Sequence, residues 1–502
     1  MTAKQFINIH KSGNHQYGYL CTPTRENGKK VNHPVYLGRV INLEEGRFRT
    51  KAKGEYIYTL ENGYSDAPVD PRATTMAAIA KGSLLFGHVY CVHALLERTG
   101  LLRLFRATET DSPDTLLALL MHRLLDCYSD SHASSFLEQT YTGLLYPRAN
   151  LSSQNISKYL FKIGSEAIRR DFHRRYIAMM YPDQRPVGVL IDSTGLPNDI
   201  DIFLTAISNH GGETVNGIRL IYVVDRETLG PIYFRAIPGN VVDVVTLKGT
   251  INELKSMNVN IGQAILDAGY NSASNLEELF ELGIDFMTRL ISNRGLYKEL
   301  LAKNSDTVIR ACNRIVYNKR SLFITVNKVR LPNDRTAYAY IGVDCAKRAE
   351  EQKKLALRED PADPMSDEEY ENKYREAGMF VMISSLEMDK KEVLPYYYSR
   401  QTIEQIFDAS KNNARLLPLG VHSLEAFRGH ILLSFITTIV YLRLQRIFHD
   451  TKFNPIDFMA ELRGVSCIVY EDHLQIFEPT AKQKEIMKIL GIDLPSKVPI
   501  GI

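Results

Sequence analysis

The chain is 502 residues long, with 44% hydrophobic and 24% charged residues, enough apolar material for a large core shared among several domains. Its formal net charge of +3 says little about partners, and its longest apolar stretch, Ile431 to Leu442, is too short and too interrupted by Ser434, Thr437 and Thr438 to span a bilayer. Six scattered cysteines without a C-x-x-C pair, and an opening segment MTAKQFINIHKSGNH without an apolar export core, exclude a disulfide framework and a structural zinc site and point to a reduced, cytoplasmic protein.

In chain order, residues 1–66 alternate apolar and polar positions in QYGYL and PVYLGRVI, with turn signals between them, and predict a small β-rich module. Residues 1–55 carry ten Lys or Arg against four acids, a basic face that suits phosphates and would equally suit a solvated surface. From Ala73 to about Met180 the period turns helical, in TLLALLMHRLL and in the Ser-led run LSSQNISKYLFKIGSEAIRRDFHRRYIAMM. Residues 73–180 therefore read as a helical bundle. Arg169, Arg170, Arg174 and Arg175 are placed towards the end of its last helix, where they would grip a phosphate backbone or answer the helix macrodipole.

From Val187 the runs VGVLID, IRLIYVVD, GPIYFRAIP, QAILD and IDFMTRL read as strands. Two helices lie among them, one with Leu247, Ile251 and Leu254 at helical spacing, the other, SASNLEELFELG, with a Ser274 to Glu277 capping box and a Gly283 stop. This order predicts an α/β fold with a mixed sheet over 185–291 and 379–446. VLID and AILD would be buried along their length and would bring Asp192 and Asp267 to one sheet edge. Residues 292–378, with strand-like TVIRACNRIVYN, SLFITVNKV and TAYAYIGVD and then a charged, exposed stretch, read as a β-rich insertion; residues 447–502 form a C-terminal region.

Tyr397, Arg400, Glu404 and Lys411 follow at offsets of 0, 3, 7 and 14, which on one regular helix fall within an arc of about 60°. Ile403, Ile406 and Phe407 lie to the other side as a buried stripe. The acid suits a divalent metal, the two cations suit phosphates on either side, and the tyrosine can stack or hydrogen-bond. A solvated face with Arg–Glu pairing shows the same residues. Asp408 is the weaker choice of acid; Asp243 and Asp225 read as structural or capping residues, and His210 and His430 as surface or packing residues.

The spacing Y-x2-R-x3-E-x6-K resembles the YREK signature of bacterial insertion-sequence DDE transposases, and VLIDSTG, PIYFRAIPGNVVDVVTL and LDAGY resemble that family's segments around its two aspartates. The likeness covers roughly 185–290 and 379–445. It implies an RNase H-like core with a β-rich insertion between Asp267 and Glu404, a helical DNA-binding region ahead of it, and two Mg2+ ions, replaceable by Mn2+, held by Asp192, Asp267 and Glu404 for cleavage at the element's ends and strand transfer into target DNA. Tyr397, Arg400 and Lys411 would contact DNA, as would Arg169, Arg170, Arg174 and Arg175. Where relatives often carry Arg, this chain has Ala268, so one phosphate contact is missing or is supplied by Arg289; the lack of tryptophan leaves any flipped base to another aromatic. Terminal inverted repeats and a homodimer on DNA are the implied partners. Two other readings stay open, an inactive relative that binds DNA without cutting and an RNase H-like nuclease without strand transfer.

Overall fold

The computed structural model describes residues 4–13, 15–26, 29–50, 53–66, 82–108, 111–126, 128–210, 213–292, 294–357 and 365–500, in two compact units. The first holds an antiparallel sheet of six successive strands, β1 (Phe6–Ser12), β2 (His15–Glu26), β3 (Lys29–Asn42), β4 (Arg47–Thr50), β5 (Gly54–Thr59) and β6 (Gly63–Asp66). Leu37, Phe48, Tyr56 and Tyr58 form its core, with Ile7, Ile9, Leu20 and Val40 packed against them. Register aligns His10, Tyr17, Arg39 and Arg49 across β1 to β4. Residues directly opposite one another share a face, so this row lies on one side of the sheet. Tyr36 is 50% exposed, and its ring stands 6.4 Å from that of Tyr17 and 5.4 Å from that of Tyr19.

In the second unit the helical region begins, among the described residues, at α1 (Gly87–Arg98) and continues through α2 (Leu101–Thr108), α3 (Pro113–Leu125), α4 (Ala133–Gln139), α5 (Thr142–Leu145), α6 (Ser153–Ile163) and α7 (Glu166–Met180). Residues 73–81 of the predicted bundle lie outside the described residues, and Gly82–Leu85 is a short strand. The arginine cluster is not at the end of α7. Arg169, Arg170, Arg174 and Arg175 occupy its first two-thirds, and its last turn has no basic residue, so the macrodipole does not account for them. They are balanced locally instead: Arg169 and Arg170 pair with Glu166 at 2.6 and 2.7 Å, and Arg174 and Arg175 pair with Asp171.

The mixed sheet follows as β7 (Val187–Pro197), β8 (Ala206–His210), β9 (Glu213–Asp225), β10 (Pro231–Pro238), α8 (Leu247–Ser256), β11 (Ile261–Leu266), α9 (Ala273–Glu281) and β12 (Asp285–Arg289). The segment 292–378 adds α10 (Gly295–Asn304), β13 (Arg314–Tyr317), β14 (Arg320–Leu331), β15 (Arg335–Asp344), α11 (Cys345–Ala356) and α12 (Asp367–Glu376), the last two with no buried residue. After β16 (Met379–Ser384) come α13 (Lys390–Tyr398), α14 (Thr402–Asp408), α15 (Leu424–Phe448), α16 (Pro455–Arg463) and α17 (Ala481–Leu490). The spatial order is β10-β9-β7-β11-β12-β16-β15-β14-β13, with β8 beside β9. β7, β11 and β12 are mutually parallel, and the other pairings are antiparallel. The strands of 292–378 thus continue the same sheet through β16 rather than building a separate one.

Leu424–Phe448 is, among the described residues, the one helix long and apolar enough to cross a membrane, and 72% of its most apolar stretch is buried inside the fold. Phe435 on α15 sits within 4.9–6.5 Å of the rings of Phe172, His173, Tyr176, Tyr222 and Phe234. α6 and α15 approach backbone to backbone at Gly164 and Gly429: a Cβ at Gly164 would lie 1.7 Å from the Glu425 carbonyl oxygen, and one at Gly429 would lie 1.9 Å from that of Leu160.

Burial pulls His88 and His173 down from 6.5 to about 3, and His122 and His430 to about 4. Each imidazole is therefore neutral in the fold and takes up a proton near pH 6.5 when the chain unfolds. The unfolded state binds more protons between those limits, so stability is full above pH 6.5 and falls as the pH drops towards 4, by up to about 1.4 kcal/mol per pH unit for each histidine. Asp192 and Glu253, both raised by burial, act in the opposite sense but are fewer than the four histidines. The urea midpoint is expected to fall steadily from pH 7 to pH 5; a constant midpoint would contradict neutral burial of these rings.

Candidate active site

β7 is buried from Val189 through Ile191, and Asp192, 8% exposed, follows directly. The parallel register pairs Ile191 with Leu266 and Leu266 with Thr288. One residue further along each chain stand Asp192, Asp267 and Arg289, so the three come level at the same edge of neighbouring strands. Asp267 leaves β11 into a tight turn at Ala268–Tyr270, and its backbone carbonyl accepts from Thr288 Oγ1 at 3.2 Å.

The segment 396–411 completes the site without forming the regular helix that its spacing predicts. α13, which contains Pro395, passes into a 3-10 turn at Ser399–Gln401, then α14, then a π turn at Ala409–Asn413. The uniform 100° step therefore does not hold across the motif. Ile403, Ile406 and Phe407 are buried as the apolar stripe requires, with the Phe407 ring 5.3 Å from Tyr222 on β9. Tyr397 is 3% exposed, packed beneath Arg400 at 5.8 Å from guanidinium carbon to ring centre, and burial pushes its phenol up to about 12. It supports the arginine rather than offering an open stacking face. Arg289 is half-buried, and its charge partly offsets the upward push of burial on the phenols of Tyr397 and Tyr297.

Arg400 joins the two aspartates. Its Nη1 donates to Asp192 Oδ2 at 2.5 Å, and its Nη2 lies 3.1 Å from Asp267 Oδ1. Burial opposes the guanidinium charge, but Asp192, Asp267, Tyr397 and Glu404 more than offset it and hold the group protonated. Asp192 is pushed up to about 6, first by burial and then by the like charges of Asp267 and Asp243, against the pull of Arg400. Lys411 Nζ donates to Thr194 Oγ1 at 2.7 Å, two residues beyond Asp192, and its own value is lowered by burial. Glu404 is exposed, four residues after Arg400.

The structure brings Asp192, Asp267, Arg400, Arg289, Tyr397 and Lys411 to one sheet edge. Glu404 is less tightly gathered: among the described residues, no three His, Cys, Asp or Glu side chains converge as a metal-binding cluster. The residues nonetheless fit a divalent cation. The donors are all carboxylate oxygens, two of them already converge on one positive group, and the buried member is held at a raised value that a cation would relieve.

Sequence reasoning missed the hydroxyl partners Ser193 and Thr194; Asp243, read as structural or capping, has the structural role. That residue is not a helix cap: Val242 holds the cap position of the following turn, and the Asp243 carboxylate accepts from Ser193 and Arg219. Asp225 is a turn-forming residue as expected, accepting from Glu227 N, Thr228 N and Tyr181 Oη. His430 is a packing residue, bonded to Arg123 and the Leu416 carbonyl. Of the four arginines on α7, Arg169 is largely covered and bonded to Tyr233, whereas Arg170, Arg174 and Arg175 have side chains 48–69% exposed.

No curated protein matches this chain. A solved structure described as the piggyBac transposase synaptic complex with hairpin DNA is similar over 75% of this chain and 70% of that one, at 13% identity and a TM-score of 0.36. Residues 183–440, just over half of the sequence, match the transposase DDE domain. That interval runs from just before the strand of Asp192, through Asp267 and the Arg400 segment, into α15, and with this match the chain belongs to the transposase DDE domain family.

Proposed function

We propose that the chain is a cut-and-paste transposase of a bacterial insertion sequence, which cleaves DNA at the element's terminal repeats and joins the freed 3′ ends to target DNA. The observation that carries this reading is the meeting of Asp192 and Asp267 on adjacent parallel strands around Arg400, inside the matched interval. Three antiparallel strands followed by two parallel ones, in the order β10-β9-β7-β11-β12, support an RNase H-like core, with 292–378 as the insertion ahead of the Tyr397, Arg400, Glu404 and Lys411 motif.

Asp192, Asp267 and Glu404 would hold two Mg2+ ions, or Mn2+ in their place, which when bound supply charge stabilisation for phosphodiester cleavage and strand transfer. Arg400, Lys411 and Arg289 border the carboxylates and would orient phosphates. Arg170, Arg174 and Arg175 on α7, and the Tyr17, Tyr36, Arg39 and Arg49 face of the amino-terminal sheet, would contact the DNA ends outside the site.

The test is a supercoiled-plasmid reaction with paired element ends, purified full-length protein and Mg2+. Joined products, made by complexes whose mass corresponds to two protein copies, are expected. Cleavage without joining would reduce the reading to a nuclease, and binding without cleavage to an inactive relative. A second measurement follows the basic faces: end binding is expected to weaken steeply between about 50 and 200 mM salt, and neutralising Arg39 and Arg49 to flatten that slope by about one unit for each phosphate that then goes unneutralised. An unchanged slope would remove the amino-terminal sheet from the interface.

A further inference from the structure

Behind Asp192 lies a second, ordered polar set. Ser193, the next residue on β7, donates its backbone N–H to Asp192 Oδ1 at 2.8 Å and its hydroxyl to Asp243 Oδ1 at 2.6 Å. Arg219 on β9 donates Nη1 to the same Asp243 oxygen at 2.8 Å. The two side chains are 16% and 12% exposed, so this ion pair is shielded from water and holds its geometry better than a surface pair. The other Asp243 oxygen faces the turn that carries Asp267: a Cβ at Gly269 would stand 3.2 Å from Asp243 Oδ2. One carboxylate therefore touches the strand of the first aspartate, the strand beside it, and the turn of the second aspartate.

We infer that Asp243 is a positioning residue, which through Ser193 and the Gly269 turn sets the separation of Asp192 and Asp267 and thereby the affinity of the site for a divalent cation. This role rests on the cation-binding reading of those aspartates. Arg219 and the Ser193 hydroxyl donate to the same Asp243 oxygen, so Asp243 holds the Ser193 hydroxyl in one direction. Gly269 lets the second turn approach closely, since any side chain there crowds the same carboxylate.

The experiment is Mn2+ binding to the full-length protein, read from the electron paramagnetic resonance signal of free Mn2+. It compares the native protein with Asp243→Ala, Ser193→Ala, the double variant and Ser193→Thr. Asp243→Ala and Ser193→Ala are each expected to weaken Mn2+ binding about tenfold, in the range seen when the hydrogen-bond partners of metal ligands are substituted. The double variant should be no weaker than the poorer single one, because both act through the same hydrogen bond. Ser193→Thr, which keeps the hydroxyl, should bind as the native protein does. Native affinity in Asp243→Ala and Ser193→Ala, or losses that simply add, would overturn the positioning role while leaving the cation reading intact. Failure of the native protein to bind Mn2+ would overturn both.

Discussion

Asp192→Asn, Asp267→Asn and Glu404→Gln are each expected to lower Mg2+-dependent cleavage by about three orders of magnitude or more, with end binding changed by no more than about threefold. The amides are nearly isosteric; the single amide oxygen of Asn at 192 keeps only one of the two bonds that the Asp192 oxygens accept, from Arg400 or from the Ser193 N–H, but the shape of the site is kept while a negative donor is removed. Thermal stability separates this from unfolding. Asp192 is held at about 6 because its charge is buried beside Asp267, so removing that charge at neutral pH should leave the unfolding midpoint unchanged or higher. Glu404 is exposed, and its substitution should leave stability unaltered. Cleavage by any of the three near the native rate with Mg2+ would overturn the assignment of that residue.

Gly429→Val is expected to be the most damaging substitution away from the site, costing more than about 3 kcal/mol and lowering the unfolding midpoint by about 10 °C. The first added carbon would already fall inside the van der Waals distance of the Leu160 carbonyl, which is backbone and cannot rotate away. α15 would have to move off α6, and α15 also seats the active-site segment: Thr438 hydrogen-bonds Ser410 at 3.0 Å in the turn that carries Lys411, and Phe435 packs on Tyr222. Cleavage should fall with stability. Gly164→Val should behave alike, whereas Gly295→Ala, with open space around its Cβ, should be close to neutral. Similar midpoints for Gly429→Val and the native protein would show that the two helices do not depend on this approach.

Much of the fold was legible because burial on both faces leaves a plain mark on sequence. VLID and AILD are continuous apolar runs because their strands lie inside the sheet, and each ends in an acid where the edge opens; that alone placed Asp192 and Asp267 together. The stop at Gly283 was legible for a similar reason, since φ of +65° there favours glycine. The start of the same helix was not. Ser272, rather than Ser274, accepts from Asn275 N, because the Asn275 amide also donates to the Val244 and Tyr270 carbonyls at 2.8 Å and pins the first turn two residues earlier than the capping-box spacing predicts.

By itself the sequence determined the two apolar strands that end in Asp192 and Asp267, the spacing of Tyr397, Arg400, Glu404 and Lys411, and the alternation of strands and helices, because each depends on residue type and local period. Only the tertiary structure decided what those residues touch. The 396–411 segment could not stay one helix and still bury Tyr397, seat Ser410 against α15 and bring Lys411 to Thr194, so it broke into three kinds of turn. The same packing set Arg400 between the aspartates, paired the α7 arginines with Glu166 and Asp171, and turned Asp243 towards Ser193. These are contacts between segments far apart in the chain or choices among near neighbours. Helical spacing permits the near-neighbour pairs but does not choose among them, and it carries no information about the distant contacts until the core fixes their distance and direction.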